Sequence, residues 1–264
     1  TGQRQNLEID WSAKDPSWGD ASCTAPDIAA LSPHGIDLTK REDGELSLLV
    51  VNHGGRESVE FFAVAANGNL TWRGCATPPE DPFINDVAAR TDGGFYVTHM
   101  WNKTADFAAT AAALQAGSNT GWVWAWSKAN GFSKVAGTNA QMPNGIALSR
   151  DNSMLYVNVY FGGGTFAFDL SKEQRLGSVD ARQPDNVTVD ADGNLSKNKK
   201  GFGSKSLDRA ASMALTGFDR HSGKQLWKVD AIHSFWHNGI VAGNGRIYCL
   251  DRNPKRIEEA LKRR

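Results

Sequence analysis

Asparagine, aspartate and histidine recur at the start of five short apolar segments that are spread along this 264-residue chain. Calcium in proteins takes about six to eight oxygen ligands, which amide and carboxylate groups supply. Oxygen atoms held on separate segments therefore predict a calcium site if the fold brings them together. A single asparagine is explained as well by the turn that precedes a strand, but such a turn would vary among several polar residue types. The positions are His34, Asn85, Asn144, Asp185–Asn186 and Asn238.

The five segments share one pattern, which indicates a repeated unit of structure. Each has a polar residue, a short apolar run, a turn of Gly, Asp or Asn and a second apolar run, and successive starts lie 51, 59, 42 and 52 residues apart. A four-stranded propeller blade repeats at about 40–50 residues. The sequence therefore predicts an all-β fold, a β-propeller of five to six four-stranded blades, with six favoured if residues 1–30 contribute strands. Because the innermost strand of each blade borders the central channel, the repeated polar side chains are expected to converge on its axis.

The chain is predicted to form a single β-propeller domain over residues 1–251. An Ala-rich stretch at 104–116 predicts a short surface helix inserted between strands. The polar, basic stretch at 196–211 supplies no strand pattern and indicates a loop or a junction. Residues 252–264 are basic and predict a solvated tail or a short helix.

Charge and apolar patterning limit the classes of partner. The chain has 29 Lys and Arg against 29 Asp and Glu, so it has no net field that would attract nucleic acid or an anionic membrane. No apolar stretch approaches the roughly 20 residues that span a bilayer. We therefore expect no nucleic-acid partner and no transmembrane segment, and the oligomeric state is left open.

Three cysteines, Cys23, Cys75 and Cys249, are too few and too scattered for a zinc site or a disulfide framework. One bridge, with Cys23–Cys75 as the favoured pair, and three reduced thiols are equally compatible with the sequence. The compartment is not fixed by the sequence, and we favour a periplasmic or secreted location over a cytoplasmic one.

Five short motifs, in the same order, resemble the paraoxonase/arylesterase group and, more loosely, bacterial SMP-30/gluconolactonase-like proteins over about residues 19–195. The resemblance implies a six-bladed propeller that holds one catalytic and one structural calcium ion in its channel. The motifs are Pro33–Ile36, Leu49–His53, Ile84–Val87, Pro143–Ile146 and Pro184–Val187.

Roles for individual residues are implied by the same resemblance. It makes His34 the general base that activates water and His53 its partner, a pair that can move a proton near neutral pH. It makes Asp86 a ligand of the structural calcium ion. The residues implied as ligands of the catalytic calcium ion are Asn85, Asn144, Asp185 and Asn186.

Two parts of the chain depart from the pattern of that group. Its remaining acidic ligands lie upstream of the His-Gly-Ile segment, where only 33 residues precede His34 and the nearest candidates are Glu8 and Asp10. The segment Leu215–Trp227 instead resembles the repeat of pyrroloquinoline-quinone-type propellers, in which Asp, Gly and Trp stabilise the blade.

The repeated polar residues and the resemblance together predict a calcium-dependent hydrolase of lactones or aryl esters, in which water activated by histidine attacks a carbonyl polarised by the metal. The expected partner is therefore a small-molecule ester or lactone substrate. The competing interpretation is a non-catalytic β-propeller that binds a partner at its rim. A weaker third interpretation, based on the C-terminal repeat, is a fragment of a quinone-dependent dehydrogenase.

Overall fold

The chain folds into a series of mainly antiparallel sheets, in which strands that follow one another in sequence pair with one another. This computed structural model describes residues 5–180, 187–189, 195–197, 211–218, 224–243 and 245–251. The first sheet forms because the mostly apolar runs 46–52 and 58–64 bury most of their residues and are separated by a loop that contains two adjacent glycines, Gly54 and Gly55. The short strand β1 pairs in parallel with the outer strand β5. The sheet consists of β1 (Ile9–Asp10), β2 (Pro33–Lys40), β3 (Leu46–Asn52), β4 (Ser58–Val64) and β5 (Leu70–Ala76).

The second and third sheets have four strands each and repeat the same meander. The second contains β6 (Pro82–Ala89), β7 (Phe95–Asn102), β8 (Trp122–Ser127) and β9 (Gly131–Lys134). The third contains β10 (Pro143–Leu148), β11 (Met154–Val159), β12 (Gly164–Asp169) and β13 (Gln174–Asp180).

Helix α1 (Phe107–Gln115) interrupts the second sheet between β7 and β8, where the Ala-rich stretch predicted it. The side chain of Asp106 caps it by accepting a hydrogen bond from the Ala108 N–H. Within the described ranges, no helix has the length and apolarity that crossing a bilayer requires.

The remaining strands form a short hairpin and a three-stranded sheet. In the latter, Trp227 is the partner of Gly217, where a Cβ would lie 2.3 Å from the indole. The strands are β14 (Val187–Val189), β15 (Leu195–Lys197), β16 (Ala211–Phe218), β17 (Gln225–Gly243) and β18 (Arg246–Asp251). The basic tail 252–264 and most of the predicted junction at 196–211 lie outside the described residues.

The sheets are arranged as the blades of a propeller. The inner strands β2, β6, β10 and β14 lie next to one another in that order, and β17 lies against β2. Apolar side chains fill the spaces between blades. One core cluster joins the first two sheets around Phe61 and Phe95, and another joins the second and third around Val123 and Phe168. The prediction of an all-β propeller is therefore confirmed.

The number of blades differs from the prediction. The described strands form one five-stranded sheet, two four-stranded sheets, one three-stranded sheet and the β14–β15 hairpin, rather than five or six four-stranded blades. The expectation of six rested on strands within residues 1–30, but Ile9–Asp10 is the strand that the described part of this segment supplies. Residues 11–30 contain three Asp, three Ser and two Pro, which favour turns over paired strands.

The segment 11–30 instead packs across the outer parts of the first two blades. Trp18 is buried in the cluster between them, and Asp20 accepts a hydrogen bond from the Trp126 indole at 3.0 Å. Cys23 forms a disulfide with Cys75 of β5. This bond decides between the two alternatives that the sequence left open for the cysteines.

Candidate functional site

The first three inner strands each begin with an irregular stretch that carries a predicted site residue. A bulge leaves residues out of the ladder and changes the direction of their side chains. His34, Asn85 and Asn144 all lie in such stretches. The register shifts lie between Pro33 and Ile36, between Ile84 and Val87, and between Pro143 and Ile146.

Asn85 and Asn144 present buried amide oxygens. Their residues are only 4% and 5% exposed, and within the described residues each Oδ1 is buried without a hydrogen-bond partner. A buried acceptor without a partner costs about 1–3 kcal/mol, so it calls for an explanation. A bound cation provides one, and calcium accepts amide oxygens as well as carboxylates among its ligands. The two asparagines therefore fit the predicted metal site.

The backbone that carries Asn144 is fixed from the neighbouring blade. The Thr98 hydroxyl on β7 donates a hydrogen bond to the Asn144 carbonyl at 2.6 Å. The same hydroxyl accepts the Asp86 N–H at 3.1 Å. One buried threonine thus holds the starts of β6 and β10 side by side.

Asp86, the predicted ligand of a structural ion, links the same two strands through its carboxylate. Its Oδ2 accepts the Ile146 N–H at 3.1 Å, and its Oδ1 accepts the Val87 N–H at 3.0 Å. Each oxygen has a second lone pair, so these contacts are compatible with metal binding. Its role as a ligand remains a prediction.

The other predicted ligands either lie far from the inner strands or lie outside the described residues. Asp185 and Asn186 lie outside the described residues, as does the side chain of Asn238. Glu8 and Asp10 are exposed at the outer edge of the first sheet, away from the inner strands, because β1 pairs with β5. The described ranges also contain no group of three or more His, Cys, Asp or Glu side chains suited to a metal ion. The described oxygen donors for a cation are therefore mainly amides.

The two predicted catalytic histidines lie together, with their ring centroids 4.9 Å apart. His34 Nδ1 is 3.0 Å from the Asn85 carbonyl oxygen, and His53 Nδ1 is 2.9 Å from a carboxylate oxygen of Glu57. Since these oxygens can only accept, both Nδ1 atoms carry a proton. In the neutral rings the lone pair therefore resides on Nε2, which is the basic atom of each.

Glu57 was not identified from the sequence, although its carboxylate accepts hydrogen bonds from three different residues at the site. It is 8% exposed and lies in the loop after β3. Besides His53, it accepts hydrogen bonds from Lys103 Nζ at 2.8 Å and from the Ile84 N–H at 3.3 Å. The available signal was its position four residues after His53, across a Gly-Gly turn.

An aromatic stack extends from His53. The histidine ring stacks on Phe83 at 4.6 Å with an interplanar angle of 13°. Phe83 in turn stacks on Trp101 at 4.8 Å and 6°. All three rings are partly exposed, so the histidine pair adjoins an accessible apolar surface.

Residues 33–197 match the family described as SMP-30/Gluconolactonase/LRE-like region. This match includes both histidines and the residues implied as calcium ligands by the resemblance, Asn85, Asp86, Asn144, Asp185 and Asn186. No curated protein sequence matches the chain significantly.

Several solved structures resemble the chain at low sequence identity. A streptogramin B lyase shares 15% identity, with 86% of this chain and 64% of that chain covered and a TM-score of 0.45. A luciferin-regenerating enzyme shares 15%, with coverages of 86% and 71% and a TM-score of 0.42. A gluconolactonase from Xanthomonas campestris shares 17%, with coverages of 81% and 70% and a TM-score of 0.42.

The chain spans less than two thirds of the length of the streptogramin B lyase and of a second lyase. The coverage is 64% of the streptogramin B lyase and 57% of a virginiamycin B lyase from Staphylococcus aureus, which is 11% identical with a TM-score of 0.40 over 66% of this chain.

Proposed function

The chain belongs to the SMP-30/gluconolactonase/LRE-like family, and we propose that it is a lactonase-type hydrolase that opens lactones or cleaves aryl esters with the help of calcium. One observation carries the proposal. Asn85 offers a buried Oδ1 without a partner, while its own carbonyl fixes the ring of His34. Asn85 therefore both offers a ligand to a cation and fixes the position of the candidate base, His34.

The residues that would hold a catalytic calcium ion are Asn85 and Asn144, through their Oδ1 atoms, together with Asp185 and Asn186. Asp86 would serve a structural ion. When bound, calcium supplies a Lewis acid that polarises the substrate carbonyl and stabilises the oxyanion that develops there.

The histidines would handle the proton. His34 Nε2 removes a proton from water as the water oxygen attacks the carbonyl carbon, and the Asn85 carbonyl still accepts from Nδ1–H in the resulting imidazolium. His53 Nε2 offers a second basic nitrogen beside it. When the acyl C–O bond breaks, the proton goes to the departing alkoxide or phenolate. The products are a hydroxy acid from a lactone, or an acid and a phenol from an aryl ester.

The aromatic stack supports a substrate with an apolar portion. The surface formed by Phe83 and Trp101 continues from the His53 ring. An acyl chain or an aryl group could pack against it while the carbonyl lies at the inner strands. This arrangement is the reason to test aryl esters as well as lactones.

The activity test is hydrolysis of phenyl acetate and of a lactone series (γ-butyrolactone, δ-valerolactone and glucono-δ-lactone), followed at constant pH by base uptake. We expect turnover that EDTA abolishes and added calcium restores. His34→Gln should remove activity, because the basic nitrogen is lost. Activity that persists undiminished after chelation would refute the role of calcium, and a calcium-loaded protein without turnover would favour the non-catalytic propeller.

Metal binding is tested separately by thermal unfolding. A ligand that binds the folded state alone raises the midpoint of unfolding with concentration. Calcium should therefore raise the Tm of the wild-type protein and of His34→Gln by more than that of Asn144→Ala, in which the structural ion at Asp86 can still bind. Asn130→Ala, an exposed turn asparagine, serves as the matched control and should respond as the wild type does.

The disulfide also bears on the cellular compartment of the protein. Cys23–Cys75 is buried, and such bonds persist in oxidising surroundings. It supports a periplasmic or secreted location.

A further inference from the structure

We infer that Glu57 is a positioning residue of the site: it holds His53 in the Nδ1–H tautomer and ties this histidine to the strand start that carries Asn85. The functional part of this inference rests on the proposed hydrolase activity. The positioning itself is a property of the folded chain, so it can be tested without a substrate.

The contacts of Glu57 converge from three parts of the fold. Its Oε2 accepts from His53 Nδ1 at 2.9 Å, and its Oε1 is 3.1 Å from the same nitrogen. Its Oε2 also accepts the Ile84 N–H of β6, and its Oε1 accepts Lys103 Nζ from beyond β7. The Glu57 side chain is only 6% exposed, so these donors take the place of the water molecules that would otherwise solvate its carboxylate.

The hydrogen bond to Ile84 connects Glu57 to Asn85 and, through it, to both histidines. Glu57 binds the N–H of Ile84, the next residue is Asn85, and the Asn85 carbonyl binds His34. The ring of His34 lies beside that of His53, and His53 in turn is hydrogen-bonded to Glu57. One carboxylate therefore fixes the position of the histidine pair relative to the asparagine that offers the buried amide oxygen.

The tautomer matters because it decides which nitrogen of His53 can take a proton. A carboxylate at Nδ1 requires a proton on that atom, so the neutral ring keeps its lone pair on Nε2. In the described structure, His53 Nε2 is buried and has no hydrogen-bond partner. Without Glu57 the ring could place its proton on Nε2 and would no longer offer a base beside His34.

Lys103 and Phe83 complete the support of His53. Lys103 forms an ion pair with Glu57 at 2.8 Å while its own side chain is 40% exposed. Phe83 stacks on the histidine ring, so it restricts tilt but cannot select a tautomer. The choice of tautomer therefore falls to Glu57.

A purely structural role for Glu57 is the competing interpretation. In that case its loss would lower stability but would leave the tautomer of His53 and the kcat of the folded enzyme unchanged. The two interpretations are separated by measurements on folded protein.

The first experiment is ¹⁵N NMR of the full chain with labelled histidine, in which His53→Gln identifies the His53 signals. The wild type should show a protonated Nδ1 and an unprotonated Nε2 in the neutral ring. Glu57→Gln keeps the shape of the side chain but removes its charge, and we expect a mixture of tautomers in it. A wild-type His53 with its proton on Nε2 would overturn the inference, and this measurement requires no folded variant of Glu57.

The second experiment measures kcat and KM of Glu57→Gln on whichever substrate the wild type turns over. We expect kcat to fall about 10- to 100-fold, as when carboxylates that orient metal-bound histidines are removed, with KM changed less. Glu57→Asp should recover part of the loss. Glu45→Gln, which removes an exposed carboxylate in the turn between β2 and β3, is the control and should be unchanged.

The outcomes separate this inference from the proposed function. If the wild type hydrolyses none of the substrates, the proposed function fails while the NMR result still decides the tautomer. If the wild type is active and Glu57→Gln keeps both its kcat and the His53 signals, the positioning role is overturned and the hydrolase proposal stands.

Discussion

Burial sets the protonation of two side chains outside the histidine pair, Asp37 and His99. Burial raises the pKa of the Asp37 carboxyl to about 6, although hydrogen bonds from the Ala89 and Leu38 N–H groups oppose the shift. Burial lowers the pKa of His99 to about 4. His99 lies against Trp122, with ring centroids 4.1 Å apart, in the interior of the second blade.

The two shifts have opposite effects on stability between about pH 4 and 6. Asp37 binds its proton more tightly in the folded state, so the stability that it contributes is present in acid and is lost as the pH rises toward 6. His99 binds its proton less tightly in the folded state, so its contribution is lost as the pH falls toward 4. The pH profile of the wild type therefore mixes the two effects.

We predict that Asp37→Asn isolates the histidine effect. The asparagine does not titrate, so the free energy of unfolding of the variant should rise more steeply with pH between 4 and 6 than that of the wild type. Urea unfolding at half-unit pH steps measures both curves. Above about pH 7 the two curves should run parallel, and identical slopes across the acid range would contradict the assignment.

The residues of the site differ in how well the sequence predicts them. Asn85, Asn144 and His34 were predicted because they recur at equivalent positions of a repeat. Glu57 recurs nowhere, and its burial arises because β6 approaches the loop after β3. That approach depends on the packing of two blades, which a local pattern does not encode.

At the scale of the elements, the starts of the inner strands are crowded, and Gly35 permits their close approach. A Cβ on Gly35 would lie 2.5 Å from Asp86 Oδ1 and 2.6 Å from the Asn85 carbonyl oxygen. Both neighbours are already engaged, since Asp86 binds Ile146 and the Asn85 carbonyl binds His34. Neither can move without loss of a contact.

Gly35→Ala is therefore predicted to destabilise the protein by about 1–3 kcal/mol, the usual cost of overpacking. Gly177→Ala is the matched control, since nothing lies within 4 Å of a Cβ there and β13 is exposed. The control should stay within about 0.5 kcal/mol of the wild type. Urea midpoints at neutral pH compare the three proteins, and equal losses for both variants would show that the crowding at Gly35 has no special cost.

Strand positions were predicted better than blade number. Apolar runs and turns repeat locally, so the hairpins of the first three blades could be read from the sequence. The number of blades depends on whether the N-terminal segment forms strands. Its residues 11–30 instead pack against the first two blades. This outcome follows from tertiary packing around Trp18.

At the scale of the whole molecule, the Cys23–Cys75 disulfide anchors that N-terminal segment to the first blade. The two residues are 52 positions apart in sequence and are 6% and 0% exposed. Closing a loop of this length removes conformational freedom from the unfolded chain, which corresponds to about 4 kcal/mol.

We predict that Cys23→Ser with Cys75→Ser lowers the free energy of unfolding by about that amount, as measured by urea unfolding. A reducing agent should bring the wild type to the same midpoint and should leave the double variant unaffected. Equal midpoints for the oxidised wild type and the variant would mean that the bond contributes nothing measurable.

The described strands of the last sheet contact those of the first through side chains and not through a shared ladder. In the described strands, β17 lies against β2 without sharing a ladder with it, and the contact consists of side chains such as Leu38 against Gly243 and Val241 within the cluster around Ile36. Arg246 adds a hydrogen bond to the Ala66 carbonyl at 2.7 Å. In the described strands, this contact therefore depends on side-chain packing and on the Arg246 hydrogen bond, and backbone pairing contributes nothing to it.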